Sequence, residues 1–204
     1  MKKVMVMLGV AVCLCGCAKE DVKPEVTTAT NSVSMEETTD NVVNEINEEV
    51  IIGLMEKNIE CSLNIFGSRL LSRNDVGIEY EGRTLYQVDE ARFADYAAFE
   101  EYLHSIYRDE MVDALIKGEN GNAPIYVNVD GKLYVDISRE GGKAYFVDWS
   151  AYGIEIKSQT DERCEFVVIA RATYPSDNPT PEPYVAEGVA VFEDGKWVLE
   201  RIIF

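Results

Sequence analysis

The chain has 204 residues and carries 37 Asp and Glu against 19 Lys and Arg, a formal net charge of −18 at neutral pH. A field of that sign repels nucleic acid, phospholipid head groups and anionic polymers, while it speeds encounters with basic proteins; otherwise it implies only a self-repelling surface. A single histidine, His104, excludes any two-histidine metal site and leaves one candidate for a Ser-His-Asp or Cys-His arrangement.

The chain opens with Met1-Lys2-Lys3, an apolar run from Val4 to Leu14, and then Leu14-Cys15-Gly16-Cys17. Those are the parts of a bacterial export signal in order, with an apolar core too short for a permanent span. Gly16 before Cys17, with Leu14 three residues ahead of that cysteine, forms a lipobox, so residues 1–16 are expected to be removed and Cys17 to carry lipid. Two or more acyl chains would anchor the body at the outer face of the cell membrane, outside the cytoplasm. No other stretch has the roughly twenty apolar residues of a span. Loss of Lys2 and Lys3 would leave a net charge of −20. Of five cysteines, only Cys61 and Cys164 would remain in the body, where they can pair or stay as buried free thiols; spacing does not decide between these.

Residues 17–40 are rich in Thr, Glu and Asp and poor in large apolar groups, the composition of a flexible tether. Residues 41–204 are enough for one domain. Asp40 is an expected cap for a first helix, whose stripe is Val43, Ile46, Val50, Ile51, Leu54 and Met55; it runs toward Cys61 and ends before Gly67. A short extended piece is expected over 82–88. Asp95 then caps a second helix with Phe99, Tyr102, Leu103, Ile106 and Tyr107 on one face, and a third carries Val112, Leu115 and Ile116 and stops at Gly118. From Pro124 the period changes to two. The segments 125–129 and 133–137 flank Asp130-Gly131 as a hairpin, and further strands are expected over 144–149, 153–157, 164–174, 184–192 and 196–204, the last tied into the sheet. Helices followed by an antiparallel sheet predict an α+β fold, a cystatin-like or NTF2-like domain with helices packed on a curved meander.

Several short motifs add a resemblance. Leu85-Tyr86-Gln87-Val88-Asp89 running into Arg92-Phe93, Phe99-Glu100-Glu101-Tyr102-Leu103, Val129-Asp130-Gly131-Lys132-Leu133-Tyr134, Arg139-Glu140-Gly141-Gly142 and Asp194-Gly195-Lys196-Trp197 together resemble the IseA family of D,L-endopeptidase inhibitors of Gram-positive bacteria. The resemblance covers about residues 75–204. It implies a cystatin-like domain that needs no cofactor and blocks a cell-wall hydrolase, its protein partner, by touching the active-site cleft. Here the anchor at Cys17 would confine that action to enzymes near the membrane.

Among individual residues, His104 lies off the apolar stripe of its helix and is expected on a solvated flank rather than in catalysis. Glu100 with Glu101, and Asp109 with Glu110, are neighbours in sequence that do not face each other on a helix, so no catalytic or metal-ligating set is expected. The segment from Tyr174 to Tyr184 holds four of the six prolines, which stiffen a loop suited to partner contact or merely block edge pairing. Tyr174, Asp177, Glu182 and Tyr184, together with Arg139 and Glu140 in the glycine-bearing loop, are the contact candidates for inhibition of a peptidase through acidic loops. The alternative is an accessory or ligand-binding lipoprotein, in which some of the 11 tyrosines and 2 tryptophans line the mouth of a cavity for a small apolar molecule or glycan.

Overall fold

The computed structural model describes residues 45–67, 69–118, 122–141, 145–176 and 179–204. The expected signal peptide, the tether, Cys17, the Asp40 cap, Val43 and Asp177 lie outside them. Helix α1 (Glu48–Glu60) is capped by Asn47, whose side chain accepts from the Val50 N–H at 3.0 Å. Ile46 just before that cap and Ile51 four positions after it are both buried, at the spacing of a hydrophobic staple. The stripe therefore starts its helix later than Asp40 would have it. After Glu60 the backbone widens into a π-helical turn, Cys61–Ile65, closed by the Phe66 N–H on the Cys61 carbonyl at 2.8 Å.

Two strands follow where the sequence suggested one: β1 (Arg73–Tyr80) and β2 (Arg83–Val88), joined by Glu81-Gly82 at φ 49 and 76. β1 is an edge strand with an irregular register between Arg73 and Gly77, and Val76 stands 78% exposed. Its residues lack the alternation that marks a half-buried strand. Helix α2 (Tyr96–His104) has the expected Asp95 cap, 2.8 Å from the Ala98 N–H. Ile106 and Tyr107 lie beyond its end yet are buried, since Leu199 bonds across to this segment. Helix α3 (Asp109–Lys117) stops at Gly118, where φ is 80.

Strands β3 (Tyr126–Val129) and β4 (Lys132–Val135) flank Asp130-Gly131 at φ 52 and 81, the two-residue turn foreseen. The order in this first sheet is β1-β2-β4-β3. The second sheet is the meander β5 (Phe146–Gln159), β6 (Arg163–Thr173), β7 (Glu182–Glu193) and β8 (Lys196–Leu199). β5 replaces two expected strands. Its register against β6 jumps between Asp148 and Gly153 and again between Ile156 and Ser158, and such bulges bend a strand without ending it.

The fold is thus α+β, but its strands do not all follow its helices: β1 and β2 precede α2, and the antiparallel strands form two four-stranded sheets. Residues Asn41–Phe204 form one compact unit. Its core joins α1, the π turn, α2, α3 and both sheets, with Phe99 in contact with Phe93, Tyr96, Phe66 and Tyr126 at centroid separations of 4.9–6.3 Å. Ring pairs of this kind are each worth about 1 kcal/mol beyond the area they bury. No helix of the described residues is long and apolar enough to cross a membrane.

The last strand ends at Leu199, not at Phe204. The tail instead docks on α1, where the Asn58 side chain donates to the Ile203 carbonyl at 2.8 Å and accepts from the Ile203 N–H at 2.9 Å. Tyr107 donates to the same Asn58 oxygen at 3.0 Å. Cys61 and Cys164 are free and fully buried, so the pairing alternative is not realised. Cys61 faces the Tyr107 and Tyr102 hydroxyls, whereas Cys164 sits on the inner face of β6 opposite Ala190, each packing as a small apolar residue.

Candidate ligand-binding cleft

A cleft of about 690 Å³ opens where the π turn meets the start of β5 and the end of β6. One wall is Leu63 and Asn64 from the π turn, with Arg69 from the loop behind it; the second is Tyr145, Phe146, Val147 and Trp149. The third is Thr173 to Ser176 with Pro179. Its volume falls within the roughly 300–1,000 Å³ of small-molecule sites.

Each wall has a local cause. The π turn buries Cys61, Ser62 and Ile65 and leaves Leu63 and Asn64 facing outward. The loop carrying Arg69 is pinned at both flanks by the buried Tyr126, whose hydroxyl donates to the Ile65 carbonyl at 2.8 Å and accepts from the Leu71 N–H at 3.1 Å. The Arg69 N–H itself bonds the Leu63 carbonyl at 3.1 Å. On the opposite side, the first β5 bulge spans Trp149 and Tyr152, whose rings meet edge-on at 6.2 Å.

The aromatic wall is continuous. Tyr174 lies against Tyr145 at 5.4 Å and 35°, Tyr145 against Tyr184 at 6.2 Å, and Tyr184 edge-on to Trp149 at 5.9 Å. Burial, with the neighbouring Tyr145 and Tyr174 phenols, pushes the Tyr184 hydroxyl up to about 12, so that hydroxyl stays neutral near neutral pH. Of the described lining residues Arg69 alone is charged, and neither its guanidinium nor the Asn64 amide has a side-chain partner among the described residues.

The contact candidates taken from the sequence divide over the surface. Tyr174 lines the cleft and Tyr184 backs it, but Tyr184 and Glu182 belong to β7, paired with Ala170 and Ala172, and not to a loop. Arg139 lies on a smaller hollow beside α3, and Glu140 is held by Arg73 at 3.2 Å. The five described candidates are thus spread over the cleft, β7 and the loop beside α3; Asp177 is outside the described residues. Leu63, Asn64, Arg69, Tyr145 and Trp149 escaped the sequence reading, because a π turn, a loop and a bulged strand have no simple hydrophobic period. The aromatic supply was the only signal of them.

Elsewhere, His104 ends α2 half-buried with Nδ1 2.8 Å from Asp109 Oδ1. Burial pushes the Cys61 thiol up to about 12 and the Cys164 thiol upward as well, which suits packing rather than nucleophilic attack. Among the described residues no group of three His, Cys, Asp or Glu side chains could hold a metal ion.

No family model and no curated protein matches the chain. Among solved structures it is similar to one titled "The Association Domain of C. elegans CaMKII", at 11% identity over 45% of this chain and 84% of that chain, with a TM-score of 0.20. At that score the likeness carries no argument about function.

Proposed function

We propose that this chain is an envelope lipoprotein, anchored through Cys17 at the outer face of the cell membrane, that acts by binding and uses the aromatic cleft as its ligand site on a cystatin-like or NTF2-like frame. The observation that carries this reading is the meeting, in one cleft, of an aromatic wall with two polar side chains, Asn64 and Arg69, that have no side-chain partner among the described residues. Both side chains are exposed, and polar groups set beside an apolar wall suit a ligand's polar groups. Binding without chemistry is supported by the buried thiols of raised pKa and by a lone histidine engaged with Asp109. No cofactor is required. The test is titration of the purified full chain, in detergent, with soluble cell-wall fragments, followed by calorimetry. Saturable binding lost in Trp149→Ala is expected; turnover of the fragments, or binding indifferent to that substitution, would overturn the reading.

The second reading, inhibition of a peptidoglycan D,L-endopeptidase, is favoured by the motif resemblance and by exposed Tyr174 and Pro175 at the rim, where a peptidase could be touched. A hydrolysis assay with a purified endopeptidase separates the two. Inhibition that survives saturation of the cleft with wall fragments would place the contact elsewhere on the chain.

A further inference from the structure

Each four-stranded sheet has two edges, and they are finished differently. In the second sheet the β8 edge is covered by the segment between α2 and α3: Leu199 lies beside Tyr107, its N–H donates to the Ile106 carbonyl at 2.7 Å, and its carbonyl accepts from the Arg108 N–H at 3.0 Å. The β5 edge carries Lys157 at its second bulge, a cation of the kind that blunts an edge. In the first sheet β3 is only four residues long, with Tyr126 and Val127 buried. β1 is the exception. It has eight residues at the end of its sheet, paired with β2 on one side and with no strand on the other among the described residues.

The turn between β1 and β2 fixes which backbone groups face outward. In a two-residue hairpin the pair flanking the turn is hydrogen-bonded, and bonded and unbonded pairs alternate from there. Tyr80 and Arg83 flank Glu81-Gly82, so Tyr80 and Ile78 bond to β2, whereas Glu79 and Gly77 turn their N–H and C=O groups away from it. Beyond Gly77, the residues Asn74, Asp75 and Val76 stand against Gln87 alone, and all three are exposed, Val76 by 78%.

A strand with free donors and acceptors is a template for one more strand, and charge decides which. Asp75, Glu79 and Glu81 are exposed along this hairpin. Its two arginines are drawn elsewhere, Arg73 to Glu140 at 3.2 Å, and Arg83 to Asp136 at 3.2 Å and the Pro124 carbonyl at 3.0 Å. A second copy would bring the same acids: in antiparallel pairing centred on Gly77, Asp75 of one copy meets Glu79 of the other, and like charges set opposite each other are unfavourable. The net charge of −18 opposes self-association at longer range and favours a basic partner.

We infer that the β1 edge takes up an extended, basic segment of a protein partner as a fifth strand of the first sheet. This surface is additional to the cleft, none of whose described lining residues belongs to β1.

The test uses three octapeptides blocked at both ends: one of alternating threonine and lysine, one with glutamate in place of lysine, and the lysine peptide N-methylated at every residue, which keeps the charge and loses the donors. Each is titrated calorimetrically into the purified full chain in detergent, and hydrogen exchange at the Gly77 and Glu79 amides is followed by NMR. Expected are binding of the lysine peptide at least about tenfold tighter than the glutamate peptide, weakening as salt rises, its loss on N-methylation, and slowed exchange at Gly77 and Glu79. Asp75→Lys combined with Glu79→Lys should weaken the lysine peptide about tenfold and melt with the wild type, since both side chains are exposed. Equal binding of the N-methylated peptide would overturn strand addition. Protection confined to other amides, or undiminished binding to the double variant, would overturn β1 as the surface. Failure of the lysine peptide to bind, or equal binding of the glutamate peptide, would overturn the basic partner.

Discussion

Two polar regions of this molecule lie on either side of the same short stretch of chain and are built in opposite ways. At the end of α1, Asn58 is buried and bonded through both its amide nitrogen and its oxygen: the nitrogen donates to Ile203, and the oxygen accepts from Ile203 and Tyr107. A few residues on, past the π turn, Asn64 and Arg69 project into an open cleft without side-chain partners among the described residues. The first arrangement holds the molecule together, because a buried polar group left unmatched is costly. The second contributes little to folding, so residues there are free to serve a ligand. Satisfaction, not polarity, separates the framework from the site.

The largest expected difference between the regions is chemical accessibility. Cys61, beside Asn58, and Cys164 are both fully buried, with thiols pushed upward in pKa. In the folded chain neither should react with a thiol reagent until the core opens, a slowing of about a thousandfold or more relative to the unfolded chain. Two titratable thiols on unfolding without reductant are also expected. Rapid native labelling of Cys61 would break the comparison, because it would mean that the node opens as readily as the cleft.

Next in size is stability. Asn58→Leu leaves the Ile203 N–H and carbonyl and the Tyr107 hydroxyl unmatched in the core, and should cost about 3 kcal/mol. For a domain of this size that lowers the melting temperature by roughly 10 °C in a circular dichroism scan. Tyr107→Phe removes one of the three bonds and leaves Asn58 still held by Ile203, for a loss of about 1 kcal/mol. Arg69→Gln, by contrast, should stay within about 0.5 kcal/mol of wild type. Equal losses at Asn58 and Arg69 would erase the distinction drawn between them.

Much of the framework could be read from residue patterns. The Asp95 cap, the Gly118 stop and the Asp130-Gly131 and Asp194-Gly195 turns all stand where local chemistry demanded, with positive φ at each turn residue and at Gly118. Local chemistry failed where tertiary contact decides. β1 is an exposed edge strand whose pairing with β2 overrides an unpatterned sequence. β5 continues through Ser150 and Ala151, because a bulge absorbs the register slip that reads as a break. Tyr107 keeps a helical spacing but leaves the helix to bond with Asn58. The cleft suffered most, since its walls are a π turn, a pinned loop and a bulge, each a departure from regular period. The sequence offered only its stock of tyrosine and tryptophan.

The smallest expected effect tests the border between the two regions. Glu60 closes α1 between Asn58 and the π turn. Burial opposes its ionisation, but the Tyr102 hydroxyl at 2.7 Å, together with a hydrogen bond and the charge from Arg92, holds its carboxyl below the ordinary 4.5. A carboxyl with its folded pKa below its unfolded one binds protons more readily in the unfolded chain. It therefore lends stability above the unfolded value and loses it as pH falls through the folded one. At 35% exposure water screens the pair, so the contribution is at most about 1 kcal/mol. Thermal scans from about pH 6 to about pH 3 should show the wild type converging on Glu60→Gln below about 4.5, while Arg69→Gln runs parallel to the wild type throughout. Parallel lines for Glu60→Gln would place Glu60 with the open cleft rather than with the closed node, and would move the border of the framework back to Asn58.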